Sequence, residues 1–213
     1  MKLLLTSAGI TNQSIYDALV TFTGAAPKVA FILTAKNNRE VPAEVAMENQ
    51  TGQLDNWGIK YEPVDPSNDK DWKRKLDDYD VIMIGGGNTF HLLNESRITG
   101  FDNWVKSHKD DKVFVGTSAG SILMTPSIAV AAVDEGDENT PGISNLTGLG
   151  LIDFEVSPHT PEDVSVKGNL AFSKNTQRRI LMIDNQSAVR VIDNEISIIS
   201  EGVWAWCQNG KLT

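Results

Sequence analysis

Positive charge is in short supply in this chain. Lys and Arg total 19 against 28 Asp and Glu, leaving a net charge of −9 at neutral pH. A nucleic-acid surface needs a basic patch or stripe, so that class of partner is excluded. Cysteine is scarcer still: Cys207 stands alone, so no intrachain disulfide and no cysteine-based zinc site can form. No stretch approaches the ~18 consecutive apolar residues of a membrane span. The opening MKLLLTSAG stops being apolar after three leucines, so neither a secretory signal nor a membrane partner is expected, and the cytoplasm is the default location. Histidine occurs three times, at 91, 108 and 159, so any general base of that type comes from a short list.

What is present is a regular alternation. Apolar runs at 2–9, 28–35, 59–65, 80–87 and 112–119 are separated by stretches of helical periodicity at 12–23, about 39–57, about 68–78 and about 88–108. Near-continuous apolar strands alternating with helices predict a mostly parallel sheet covered on both faces, an α/β three-layer sandwich. Beyond residue 126 the texture changes. VDEGDENTPGISNLTG reads as loop and GLIDFEVSPH (150–159) as a further strand. RRILMIDN, AVRVIDN and EISIISEG then follow with short polar breaks, and Asp193-Asn194 reads as a hairpin turn. Antiparallel edge strands are therefore expected at the C-terminal end of one domain spanning 1–213.

Open α/β sheets bind ligands at the carboxyl ends of their parallel strands. Two of those ends carry unusual residues. GGGNTF (85–90) follows DVIMI; its glycines permit a tight turn with exposed N–H groups, and Asn88-Thr89 can cap the next helix. The segment matches neither G-x-G-x-x-G nor a phosphate loop ending in GK[ST], so no nucleotide cofactor is implied. The second end is GTSAG (116–120), a G-x-S-x-G pattern between a strand and a helix. In that context it reads as a nucleophile elbow, with Ser118 at the tip and the Ala119 N–H beside it.

A serine hydroxyl needs a base to take its proton. His108 sits among charges at a helix end and His91 about a turn into a helix. His159 follows a strand and is the leading base candidate. A carboxylate to orient it is offered by VDEGDEN, which holds Asp134, Glu135, Asp137 and Glu138; the sequence alone does not choose among them.

Together, GGGNTFHLL, GTSAGS and the SPH at 157–159 resemble peptidase family S51, over nearly the whole chain. That family includes bacterial aspartyl dipeptidases and, more distantly, cyanophycinases. Its fold is related to flavodoxin-like class I glutamine amidotransferases, with serine in place of their cysteine. The resemblance implies Ser118 as nucleophile, His159 as base, and Gly86 and Ala119 as backbone oxyanion donors. It implies an acid at Asp134, with Glu135 as the alternative, and no metal or organic cofactor. Asn88, Thr89 and Arg178 are the candidate substrate contacts. Thr176 stands where the family's aspartate-binding arginine is expected, which weakens the case for strict aspartyl specificity. The expected activity is hydrolysis of short peptides, with some preference for N-terminal Asp, by a monomer or homodimer. The alternatives are a cyanophycinase-like hydrolase of aspartyl peptides and a non-catalytic binding protein on the same fold. An α/β-hydrolase esterase shares the elbow but is disfavoured by the short serine-to-histidine separation and the lack of HGGG.

Overall fold

The structure, a computed structural model, describes residues 1–24, 27–36, 43–133, 136–160 and 163–213. Five strands form its parallel centre: β1 (Lys2–Thr6), β2 (Val29–Ile32), β3 (Tyr61–Val64), β4 (Val81–Ile84) and β5 (Val113–Thr117). Between them run α1 (Gln13–Thr23), α2 (Ala43–Asn56), α3 (Trp72–Asp77), α4 (Thr89–Thr99) and α5 (Phe101–Ser107). After the fifth strand come α6 (Ala119–Leu123), β6 (Glu155–Ser157), α7 (Asp163–Thr176) and β7 (Ile180–Ile183). The chain closes with β8 (Ser187–Ile192), β9 (Glu195–Ser200), β10 (Trp204–Gln208) and β11 (Lys211–Leu212).

Seven strands form the main sheet in the order β3-β2-β4-β5-β1-β8-β9. The pairs from β3 to β1 are parallel, and β8 and β9 are added antiparallel at one edge. Alternation along each strand divides the core between two faces. Leu4, Phe31, Met83 and Val115 pack with Ile15 and Leu19 of α1 and Leu54 of α2. Leu3, Leu5, Ile32, Ile84 and Phe114 pack on the other side with residues of α3 to α6. Because both faces are buried, these strands carry no polar alternation, and that is why they read as unbroken apolar runs.

Two features depart from expectation. The stretch 88–108 is not one helix: Gly100, at φ 76°, ends α4 in the left-handed conformation and α5 starts directly after it. The C-terminal strands also do not all join the edge of one sheet. β6, β7, β10 and β11 form a second, four-stranded sheet in the order β11-β10-β7-β6, while β8 and β9 cross to the main one. The turn between β7 and β8 thus links the two sheets.

Candidate active site

Three adjacent strands of the main sheet, β4, β5 and β1, deliver Gly86, Ser118 and Ser7 just past their carboxyl ends. Ser118 has φ 51° and ψ −112°, a strained conformation for a residue with a side chain. Its N–H donates to Thr6 O at 3.1 Å, while its own carbonyl accepts from Ser121 N and Ile122 N as α6 begins. Closeness explains the small neighbours. A Cβ at Gly120 would lie 2.1 Å from Ile84 O, and one at Gly116 would lie 2.7 Å from Ser121 N.

His159 comes from the second sheet, two residues beyond β6, with φ 61°. Its backbone N–H donates to Ser7 Oγ at 2.8 Å. Its Nε2 lies 2.9 Å from Ser118 Oγ. Its Nδ1 lies 2.7 Å from Asn185 Oδ1 in the turn between the sheets, and Ser7 Oγ lies 3.0 Å from that same oxygen. His91 and His108 stay elsewhere: His91 is in α4 and its Nε2 is buried, and His108 stacks on Trp104 at 4.3 Å between ring centroids.

Gly86 packs against the elbow; a Cβ on it would come within 3.1 Å of Ser118 Cβ. Its N–H donates to Gln50 Oε1 at 3.0 Å. Ala119 opens α6 beside Ser118 and is buried. Around these groups lies a cavity of about 690 Å³, with Ile122, Val130 and Val133 as its apolar wall and Gln50, Thr160 and Asn169 among its polar one. Among the described residues that line it, none is Lys or Arg.

The remaining sequence candidates are placed differently. Asn88 caps α4, accepting from His91 N at 2.8 Å, and its Nδ2 donates to Glu138 O. Thr89 donates through both its N–H and its hydroxyl to Asp137 Oδ2. These two residues hold the 137–138 segment against α4 and do not line the cavity. Arg178 is also away from the cavity, paired with the buried carboxylate of Glu155, and Thr176 ends α7 with its hydroxyl on Phe172 O. Burial raises the Glu155 carboxyl above the usual carboxylate range, against the opposing pull of Thr125 and Arg178. Asp134 and Glu135, the expected acids, lie outside the described residues.

Sequence reasoning missed Ser7, Gln50 and Asn185. Ser7 follows a parallel strand as Gly86 and Ser118 do, so the strand-end rule that singled those out applied to it too. Asn185 sits in a short polar break that reads as an ordinary turn.

The family model "Peptidase family S51" matches residues 3–199. An uncharacterized peptidase of Pasteurella multocida is 27% identical over 209 residues, covering 93% of this chain and 97% of that one. Peptidase E of Streptomyces coelicolor is 30% identical over 166 residues, 75% of this chain and 64% of that protein. A crystal structure from Listeria monocytogenes, described as a candidate peptidase E, superposes with a TM-score of 0.76 at 27% identity, covering 94% of this chain and 98% of that one.

Proposed function

Since the chain belongs to peptidase family S51, we propose that it is a serine-type peptidase that cleaves short peptides through an acyl-enzyme. The observation that carries the reading is His159 Nε2 at 2.9 Å from Ser118 Oγ, on a strained elbow that opens into a cavity. His159 takes the hydroxyl proton as Oγ bonds to the scissile carbonyl carbon. The resulting oxyanion is stabilised by the N–H groups of Gly86 and Ala119. For that, Gln50 Oε1 has to give up the Gly86 N–H it holds here. Collapse of the intermediate breaks the C–N bond, and the amine leaves with the proton from Nε2. Water then attacks the acyl ester, with its proton passing to Nε2, and the Ser118 hydroxyl is regenerated.

The described wall of the cavity combines aliphatic and neutral polar side chains with one carboxylate, Asp137, and so offers no positive partner to an acidic peptide segment near Ser118. The preference for N-terminal Asp expected from the resemblance finds no cation among those described residues. A fluorophosphonate probe tests the chemistry. Wild type should label at one site and Ser118→Ala should not; a folded wild type that fails to label would sink the reading. A panel of X-Leu dipeptides then sets specificity: if Asp-Leu is cleaved no faster than Ala-Leu, aspartyl preference is discarded and the peptidase reading stands.

A further inference from the structure

We propose that Asn185, held by Ser7, is the positioning residue that fixes the tautomer of His159. This rests on the serine-peptidase reading above. Ser7 Oγ accepts the His159 backbone N–H at 2.8 Å, and its hydroxyl hydrogen goes to Asn185 Oδ1 at 3.0 Å, the nearer of two acceptors, His159 Nδ1 being 3.4 Å away. An oxygen that accepts from Ser7 turns the amide oxygen of Asn185, not its NH₂, toward the ring. His159 Nδ1 lies 2.7 Å from that oxygen, and two acceptors cannot share so short a contact, so Nδ1 carries the proton. Nε2 is then left with its lone pair directed at Ser118 Oγ, 2.9 Å away. A neutral amide thereby does the orienting work that a carboxylate does in a Ser-His-Asp triad.

The turn is built to hold this position. Asn185 O accepts from Thr11 Oγ1 at 2.8 Å, and Gln186 O accepts from Asn12 Nδ2 at 2.9 Å. Ser7 N–H donates to Ser187 O at 3.3 Å. The loop after β1 therefore clamps the turn from one side. Asp184, which precedes Asn185, and Asp137, which lines the cavity, hold other partners. Asp184 accepts from Gln186 N, Ser187 Oγ and Val203 N, and Asp137 accepts from Thr89.

Nitrogen NMR on protein with ¹⁵N-labelled histidine reads the tautomer in wild type. Neutral His159 is expected with its proton on Nδ1; a proton on Nε2 overturns the proposal. Fluorophosphonate labelling rates give the second arm. Asn185→Leu should label at least about tenfold more slowly, because the wrong tautomer disables the base. Asn185→Asp keeps an acceptor that cannot donate, and should label within about threefold of wild type. With a dipeptide substrate the loss in Asn185→Leu should fall on kcat while KM holds. Labelling of Asn185→Leu at the wild-type rate overturns the proposal. So does a result in which Asp134→Asn or Glu135→Gln abolishes labelling while Asn185→Leu does not. A wild type that does not label refutes the peptidase reading itself, which the tautomer measurement keeps separate.

Discussion

Ser118 and His159 both hold positive φ, at 51° and 61°, where a residue with a side chain costs about 1–3 kcal/mol. Strain at both reacting groups is tolerated because neighbours leave no alternative: Thr6 O holds the Ser118 N–H, and Ser7 Oγ holds the His159 N–H. The glycines at 116 and 120 admit the bend by letting the backbone of α6 and β4 close on it. Gln50 is the residue whose role is most exposed to test. Its Oε1 accepts from Gly86 N–H at 3.0 Å and its Nε2 lies 3.4 Å from Gly86 O. A neutral amide can be displaced there by a developing oxyanion. A carboxylate would hold the same N–H more tightly and repel the oxyanion. Gln50→Glu is therefore expected to lower kcat/KM by about tenfold or more, given that losing one oxyanion donor costs about 10²–10³. Gln50→Ala, which frees the N–H, should stay within a few-fold of wild type. Equal losses in the two variants would mean that Gln50 serves substrate binding and not the donor.

At the scale of elements, Glu155 in β6 and Arg178 in the connection from α7 to β7 form a joint outside the cavity. Glu155 is 1% exposed on its side chain and Arg178 40%. Arg178→Met leaves a buried carboxylate with Thr125 as its remaining side-chain donor. The expected cost is about 2–3 kcal/mol, below that of a fully buried pair because Arg178 is half in water. Cleavage rates should change by less than about twofold, since neither residue lines the cavity; a large loss in kcat/KM would return Arg178 to substrate binding. The pH dependence has a definite sign. Burial raises the Glu155 carboxyl above its unfolded value of 4.5, so the native state holds the proton more tightly. Its stabilising contribution is complete below pH 4.5 and is lost as pH rises through the higher native value. Glu155→Gln should remove that slope from urea-denaturation stabilities measured upward from pH 4. This joint was not legible in the sequence, and the reason is physical. Strands such as VIMI and VFVGT announce themselves because both faces are buried. Three-residue β6 carries a buried charge, and its pairing with β7 is set by contacts far along the chain. Gly86, Ser118 and His159 could be singled out because each ends a strand. Asn185 could not, because a turn asparagine that orients an imidazole has the same local sequence as one that only turns.

For the molecule as a whole, the candidate site exists only where two sheets meet. The main sheet supplies Ser7, Gly86 and Ser118, the smaller one supplies His159, and the turn joining β7 to β8 supplies Asn185. Neither sheet alone holds Nε2 beside Oγ. Cys207 gives a way to ask whether the two sheets open together. It lies in β10 of the smaller sheet with no exposed surface, and burial raises its thiol further from the reactive thiolate. Its Sγ lies 3.8 Å from Asn169 O, and Asn169 Nδ2 donates to Ser157 Oγ, two residues before His159. A disulfide reagent such as DTNB can therefore reach Cys207 only through an opening of that sheet. Its reaction in native protein should be at least about 10³-fold slower than in the unfolded chain, the scale set by a stability of several kcal/mol. If the sheets form one cooperative unit, thiol reactivity and loss of fluorophosphonate labelling at Ser118 rise at the same urea concentration. Thiol exposure at lower urea, with labelling still intact, would separate the smaller sheet as an independent unit. That outcome would require His159 to be held in place by the Ser7–Asn185 clamp alone, through Ser7 Oγ on its backbone N–H and Asn185 Oδ1 at its Nδ1. Loss of both signals together would instead place the integrity of the site in the packing between the sheets.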